Sequence, residues 1–133
     1  MQRRKGAAGE REFARIMGDE LGMKFDRQLS QPRDGGCDLV MAGFAVECKR
    51  HESNPLRAWW AQACISAKAL GLMPAVAFRR SRQPWLVIVP VDWYAGGKQL
   101  EWDSCAVLTV PAFAFACRET MGRIDEPERI QAN

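Results

Sequence analysis

Residues 35–50 read Gly35-Gly36-Cys37-Asp38-Leu39-Val40-Met41-Ala42-Gly43-Phe44-Ala45-Val46-Glu47-Cys48-Lys49-Arg50. Two runs of β character, Cys37 to Met41 and Phe44 to Lys49, are separated only by Ala42-Gly43, a spacing that predicts a tight hairpin. With the turn centred between Ala42 and Gly43, Met41 faces Phe44, Leu39 faces Val46 and Asp38 faces Glu47. Side chains alternate across a sheet. Cys37, Leu39, Met41, Phe44, Val46 and Cys48 therefore share one apolar face, and Asp38, Val40, Ala45, Glu47 and Lys49 share the other. The register depends on the turn, because Ala42 is a poor residue for the positive φ of a type I′ turn and a three-residue loop would break the pairing.

On the N-terminal side, Ser30 to Gly36 is a polar loop containing Pro32 and Asp34-Gly35-Gly36, and Lys24 to Leu29 is long enough for a short strand. Before that, Phe13, Ile16, Met17 and Leu21 recur at helical spacing, predicting a helix over 7–21 that stops at Gly22. On the C-terminal side, Asn54 is a good N-cap with Pro55 at the first helical position, and an Ala-rich helix follows to Leu70 before Gly71. Pro74 to Phe78 and Trp85 to Val89 read as strands joined by the basic loop Arg79 to Pro84. Asp92 to Tyr94 begins a short helical turn, and Ala106 to Val110 is a last strand. Pro111 to Met121 reads as a short helix, with Phe113, Cys117 and Met121 at i, i+4, i+8, and residues 122–133 as a frayed tail. The order α-β-β-β-α-β-β-(α) implies an α/β fold with a central mixed β-sheet flanked by helices.

The 133 residues are 47% hydrophobic, with no internal repeat and no linker to divide them, which makes one domain over 1–133 the expectation. Folding at this size buries roughly 65 to 70% of the surface of the unfolded chain, enough for one core without disulfides. The five cysteines are odd in number, widely spread and lack a CxxC pair, so they read as buried thiols of a cytosolic protein, with neither a disulfide framework nor a zinc cage. The uncharged stretch Ser104 to Cys117 is shorter than the roughly 20 apolar residues of a membrane span. The basic start Arg3-Arg4-Lys5 runs into Gly6 and small residues, unlike a secretory signal.

A net charge of +3 is too small to name a partner. Its distribution is more informative: residues 1–50 carry +2, residues 51–100 carry +4 and residues 101–133 carry −3. Basic clusters at Arg3-Arg4-Lys5 and Arg79-Arg80-Arg82 suit phosphate contacts and equally suit a solvated surface. His51 is the single histidine, which leaves little room for an HNH nuclease site or a Ser-His-Asp triad. A Walker P-loop is absent as well.

The polar face of the hairpin carries the chemistry. Opposed Asp38 and Glu47 would have Cβ atoms about 4.5 to 5.5 Å apart, where two carboxylates repel. A hard divalent cation such as Mg²⁺ compensates, since it prefers oxygen ligands and accepts one or two carboxylates. Lys49, two residues beyond Glu47 on the same face, adds an ammonium that can orient a nucleophile or stabilise developing charge. That set suits phosphodiester hydrolysis. On spacing alone, two acids and a lysine on neighbouring strands also describe a solvated, salt-bridged edge, although the apolar residues on both faces near the tip argue against a fully exposed one.

Asp38, an eight-residue gap and Glu47-Cys48-Lys49 resemble the PD-(D/E)XK nuclease signature, with Cys48 at the variable position and Cys37 in place of the motif's Pro. Arg4-Lys5-Gly6-Ala7-Ala8-Gly9-Glu10-Arg11-Glu12-Phe13 resembles the opening of archaeal-type Holliday junction resolvases, in which a basic-Gly start leads into a helix bearing an active-site Glu, here Glu10. Ser30 stands where those enzymes have a serine near the site, and Gln62 resembles a helix glutamine of many nucleases in the superfamily. The similarity extends over about residues 4 to 90.

The resemblance implies a restriction-endonuclease-like core and a metal-dependent DNA endonuclease. Asp38, Glu47 and the Cys48 backbone carbonyl would bind Mg²⁺ or Mn²⁺, Glu10 would complete the site directly or through water, and Lys49 would act on the nucleophile or the transition-state charge. Ser30, Gln62, Arg4 and Lys5 would contact substrate. The expected partner is DNA, foremost a four-way junction, bound by a homodimer that nicks paired strands, with no membrane association. Size and resemblance suggest a compact phage-like resolvase of a bacterial cytoplasm. Two readings remain beside it: a restriction-like, repair-type or flap-type nuclease of the same superfamily, and a non-cleaving DNA-binding module of the same fold.

Overall fold

The chain forms α1 (Gln2–Leu21), the hairpin β1 (Leu39–Met41) and β2 (Phe44–Arg50), α2 (Leu56–Leu70), β3 (Met73–Arg79), β4 (Leu86–Pro90), β5 (Cys105–Thr109) and α3 (Val110–Ala132). Short 3-10 turns at Trp93–Ala95 and Trp102–Ser104 lie between β4 and β5. This computed structural model describes residues 2–25, 37–50, 52 and 55–132, and side chains over 8–25, 37–50, 52 and 55–122. Among the described residues, no helix is long and apolar enough to cross a membrane.

The five strands form one sheet in the order β1-β2-β3-β4-β5, with β2 and β3 parallel and every other pair antiparallel. A parallel pair needs a crossover, which α2 provides between β2 and β3. The helices cover both faces. Phe13 and Met17 of α1 and Phe113 and Cys117 of α3 bury one face together with Leu39, Met41, Phe44 and Val46 of the hairpin. Phe113 joins the two sides of this layer, its ring centroid 5.1 Å from that of Phe44 and 6.3 Å from that of Phe13. Across the sheet, Trp60 and Ala63 of α2 pack on Val76, Phe78 and Ile88, and Ala67 packs with Ala45. The result is an α/β core with a mixed sheet between helices, consistent with the restriction-endonuclease-like class.

Local chemistry explains the element ends. Gly22 adopts φ 66° after α1, and the Met23 N–H reaches back to Gly18 O at 3.1 Å. Gly71 adopts φ 70° after α2, where Leu72 N–H donates to Ala67 O at 2.9 Å, closing the helix with a left-handed cap. At its start, Pro55 occupies the N-cap position itself, with no side-chain cap bond. Asn54, expected there, lies outside the described residues. Thr109 Oγ1 accepts the Ala112 N–H at 3.3 Å and caps α3. That helix continues past Met121 to Ala132, over the residues expected as a frayed tail. Lys24 and Phe25 are not in a strand, and the rest of the short strand expected there lies outside the described residues.

The hairpin adopts the expected register: Met41 pairs with Phe44, Val40 with Ala45 and Leu39 with Val46. Ala42 (φ 51°) and Gly43 (φ 85°) both take positive φ, so Ala42 accepts the left-handed backbone despite its Cβ. One part of the face assignment changes. Cys37 packs with Ala45 and Ala67 on the α2 side, not with Leu39 and Val46 on the α1 side. The ladder ends at Leu39, and the Asp38 N–H donates to Val46 O at 3.1 Å instead of continuing toward Glu47, which reverses the alternation for the residue before it.

Candidate active site

That departure from the ladder positions Asp38. Its Oδ2 accepts the Cys48 backbone N–H at 2.7 Å, which ties the end of β1 to the middle of β2. The Asp38 carboxyl is also in hydrogen-bond contact with those of Glu47 on β2 and Glu10 on α1. Two carboxyl groups can share a hydrogen bond only when one of them holds a proton. Burial, followed by the charge of Glu47, pushes Asp38 up to about 7, with Glu10 adding to the rise and the Cys48 N–H opposing it. Glu47 is only 7% exposed, and burial raises its carboxyl as well, against the Lys49 ammonium and a hydrogen bond donated by the Ser66 hydroxyl. Three acids from three elements thus converge beside one lysine at the edge of the sheet.

Two groups of residues around this cluster carry no obvious signal in the sequence. Ser66 is buried on α2 and donates to Glu47. It lies four residues, about one helical turn, after Gln62. Gln62 itself is exposed. The second group centres on Glu12. Its Oε1 accepts the Trp85 indole N–H at 2.6 Å and an Arg79 guanidinium N–H, while Oε2 lies 3.8 Å from Arg50 Nη1. Burial favours the neutral form of Glu12, but the Trp85 and Arg79 hydrogen bonds and the two guanidinium charges outweigh it and hold the carboxyl below its usual value. These bonds pin α1 to β2, β3 and the start of β4. The helix lies against β2 here: a Cβ on Gly9 would sit 3.4 Å from Arg50 Cβ, at van der Waals contact.

Arg4 and Lys5 lie within α1, with their side chains outside the described residues, as are Ser30 and His51 altogether. All five cysteines are free thiols. Cys37, whose Sγ–H donates to Leu39 O at 3.1 Å, is pushed up to about 11 by burial and then by the charges of Glu47 and Asp38. Cys48 is raised well above the ordinary thiol value by burial and by the same acids together with Glu10. Neither thiol is poised to act as a nucleophile.

A family model described as "Phage putative PDDEXK endonuclease" matches residues 1–101, a span that includes Glu10, Asp38, Glu47, Lys49 and Ser66. The chain belongs to this phage PD-(D/E)XK endonuclease family. No curated protein matches it. Among solved structures it is similar to Hjc of Archaeoglobus fulgidus, a Holliday junction resolvase from an archaeal hyperthermophile, at 23% identity and a TM-score of 0.49, over 67% of this chain and 75% of that one.

Membership of the PD-(D/E)XK endonuclease family implies a metal-dependent mechanism, and the residues present can be tested against that. The donors are carboxylate oxygens and a peptide carbonyl, a hard set suited to Mg²⁺ or Mn²⁺ and unsuited to soft metals. Burial raises both Asp38 and Glu47, and neighbouring acids add to it, Glu47 and Glu10 at Asp38 and Glu10 at Glu47, so the cluster is short of the positive charge a divalent ion supplies. Among the described residues, no group of three or more His, Cys, Asp or Glu side chains surrounds a common point as they stand. Asp38 instead turns toward its neighbouring acids. Charge and donor chemistry fit the ion, and the acids are converged but not yet spread around it.

Proposed function

We propose that this chain is a Mg²⁺-dependent DNA endonuclease that hydrolyses phosphodiesters in four-way junctions as a homodimer. The convergence of Glu10, Asp38 and Glu47 beside Lys49 is the observation that carries the reading. In this mechanism Asp38, Glu47, Glu10 and the Cys48 carbonyl hold the cation. A divalent cation held there would supply Lewis acidity, activating water and polarising the phosphoryl oxygen. The Cys48 N–H fixes the direction of Asp38, and the Ser66 hydroxyl does the same for Glu47. Lys49, close enough to Glu47 to favour its charge, faces the same space and stabilises the negative charge that builds on the phosphorus-bound oxygens or orients the attacking water. The preference for junctions is supported by the likeness of residues 4–13 to the opening of junction resolvases, because the acid that likeness singles out, Glu10, meets Asp38 in the fold.

The test is a cleavage panel of labelled four-way junction, linear duplex, flap and single-stranded DNA, each with Mg²⁺ or EDTA. Paired, symmetric nicks in the junction with Mg²⁺, lost in EDTA, are the expected result. A Lys49→Ala variant should cut at least about 100-fold more slowly. Equal cleavage of duplex or flap DNA transfers the reading to another nuclease of the superfamily, and metal-independent binding without any cleavage transfers it to a DNA-binding module.

A further inference from the structure

The three arginines at the end of β3 and just beyond it do not share one role. Arg79 ends the strand and turns inward, where its guanidinium donates to Glu12 and its Nε to Gln83 O at 2.9 Å. Arg80, Ser81, Arg82 and Gln83 follow as exposed residues. The turn they form is braced: the Ser81 N–H donates to Glu52 Oε1 at 3.1 Å, the Ser81 hydroxyl donates to the same oxygen, and the Gln83 N–H donates to Arg80 O at 3.1 Å. Arg82 holds φ 65° within it. Two exposed guanidinium groups therefore stand on a hydrogen-bonded mount.

Their position follows from the sheet. Because β2 and β3 are parallel and in register, Lys49 lies beside Phe78 and Arg50 beside Arg79, so the turn leaves the sheet at the end where β2 presents Lys49. At a strand spacing of about 4.8 Å and a rise of about 3.3 Å per residue, the Arg80 backbone is about 8 Å from that of Lys49 and about 14 Å from that of Glu47. Phe78 shares its face of the sheet with Lys49 and lines a cleft of about 450 Å³ together with Glu52, Arg79, Arg80, Gln83 and Leu86. The cleft and the acidic cluster thus open on the same side.

We propose that Arg80 and Arg82 form a phosphate-binding turn that carries the DNA backbone past the scission site. The proposal rests on the nuclease reading and extends it to residues outside the acid and lysine cluster. Arg79, held by Glu12, is the structural member of the trio and contacts no phosphate. Charge favours the assignment: residues 51–100 are the most basic part of the chain, at +4, and two of their six cations lie in this turn, with Arg79 directly before it.

The experiment measures binding of a fluorescent four-way junction and a duplex in EDTA, between 50 and 300 mM KCl, by anisotropy. The proteins are wild type, Arg80→Ala/Arg82→Ala, Arg80→Lys/Arg82→Lys, and Arg118→Ala on α3 as a control. The proposal expects the double alanine variant to bind about tenfold more weakly at 150 mM salt, with the slope of log affinity against log salt reduced by about 2. The double lysine variant should recover most of the slope, and Arg118→Ala should bind like wild type. An unchanged slope and affinity in the double alanine variant, with wild type binding and cutting normally, overturns the turn assignment and leaves the nuclease reading intact. Failure of wild type to bind DNA at any salt overturns both.

Discussion

The Ser66 hydroxyl and the Cys48 N–H each hold one carboxylate of the site, so neither acid is free to choose its own orientation. Replacing Ser66 with Ala removes the donor from a buried carboxylate. It should slow cleavage by about 10- to 100-fold and raise the Mg²⁺ concentration for half-maximal rate, while the Ser66→Thr variant, which keeps the hydroxyl, recovers part of both. A rate profile against Mg²⁺ for the three proteins checks this. Glu12 gives a pH prediction. Its carboxyl lies below the ordinary value of 4.5, so the stability it contributes is fully present above that pH and is lost as pH falls through its folded value. Urea unfolding should show Glu12→Gln about 1–2 kcal/mol less stable at pH 7, with the gap to wild type closing below about pH 4. Glu47 and Lys49 were legible as sharing a face because side chains alternate along β2, and the turn position put Asp38 opposite Glu47, although Asp38 reaches it from outside the ladder. Glu12 was not: its partners Arg79 and Trp85 are 67 and 73 residues away, and no local pattern distinguishes it from a solvated helix acid.

The hairpin shows how far an element can be derived from its residues. The pairing of Leu39 with Val46 follows from the turn position and was readable. The reversal at Cys37 was not, because it depends on Asp38 leaving the ladder to accept from Cys48, a bond made by a side chain and invisible to alternation. The same limit applies to α3, where apolar spacing ends at Met121 and the charged residues beyond it give the period nothing to follow. The turn itself is testable. Gly43 has φ 85°, and a Cβ there would lie 3.3 Å from Thr120 Cγ2 of α3. Gly43→Ala should therefore cost about 1–2 kcal/mol in urea unfolding, through backbone strain and crowding together. If the variant is as stable as wild type, the turn can change type without disturbing the strands.

At the scale of the whole molecule, helix-strand order was enough to indicate a mixed sheet between helices, since a helix between two strands permits a parallel pair. Which face each helix covers depended on packing: α1 and α3 meet through Phe13 and Phe113, and α2 lies opposite with Trp60 and Ala63. This layering brings Glu10 from one side and Ser66 from the other to the open end of the hairpin, where Asp38 and Glu47 lie. The account stands on those acids acting as one metal-binding unit. Its most direct test is the rate of nicking of a supercoiled plasmid that extrudes a cruciform, which offers duplex and junction together, by wild type and Asp38→Asn at equal Mg²⁺ with folding verified by circular dichroism. The account predicts nicking by wild type that vanishes in EDTA and falls at least about 100-fold in the variant. Nicking at the wild-type rate by folded Asp38→Asn, or nicking that persists in EDTA, would contradict it.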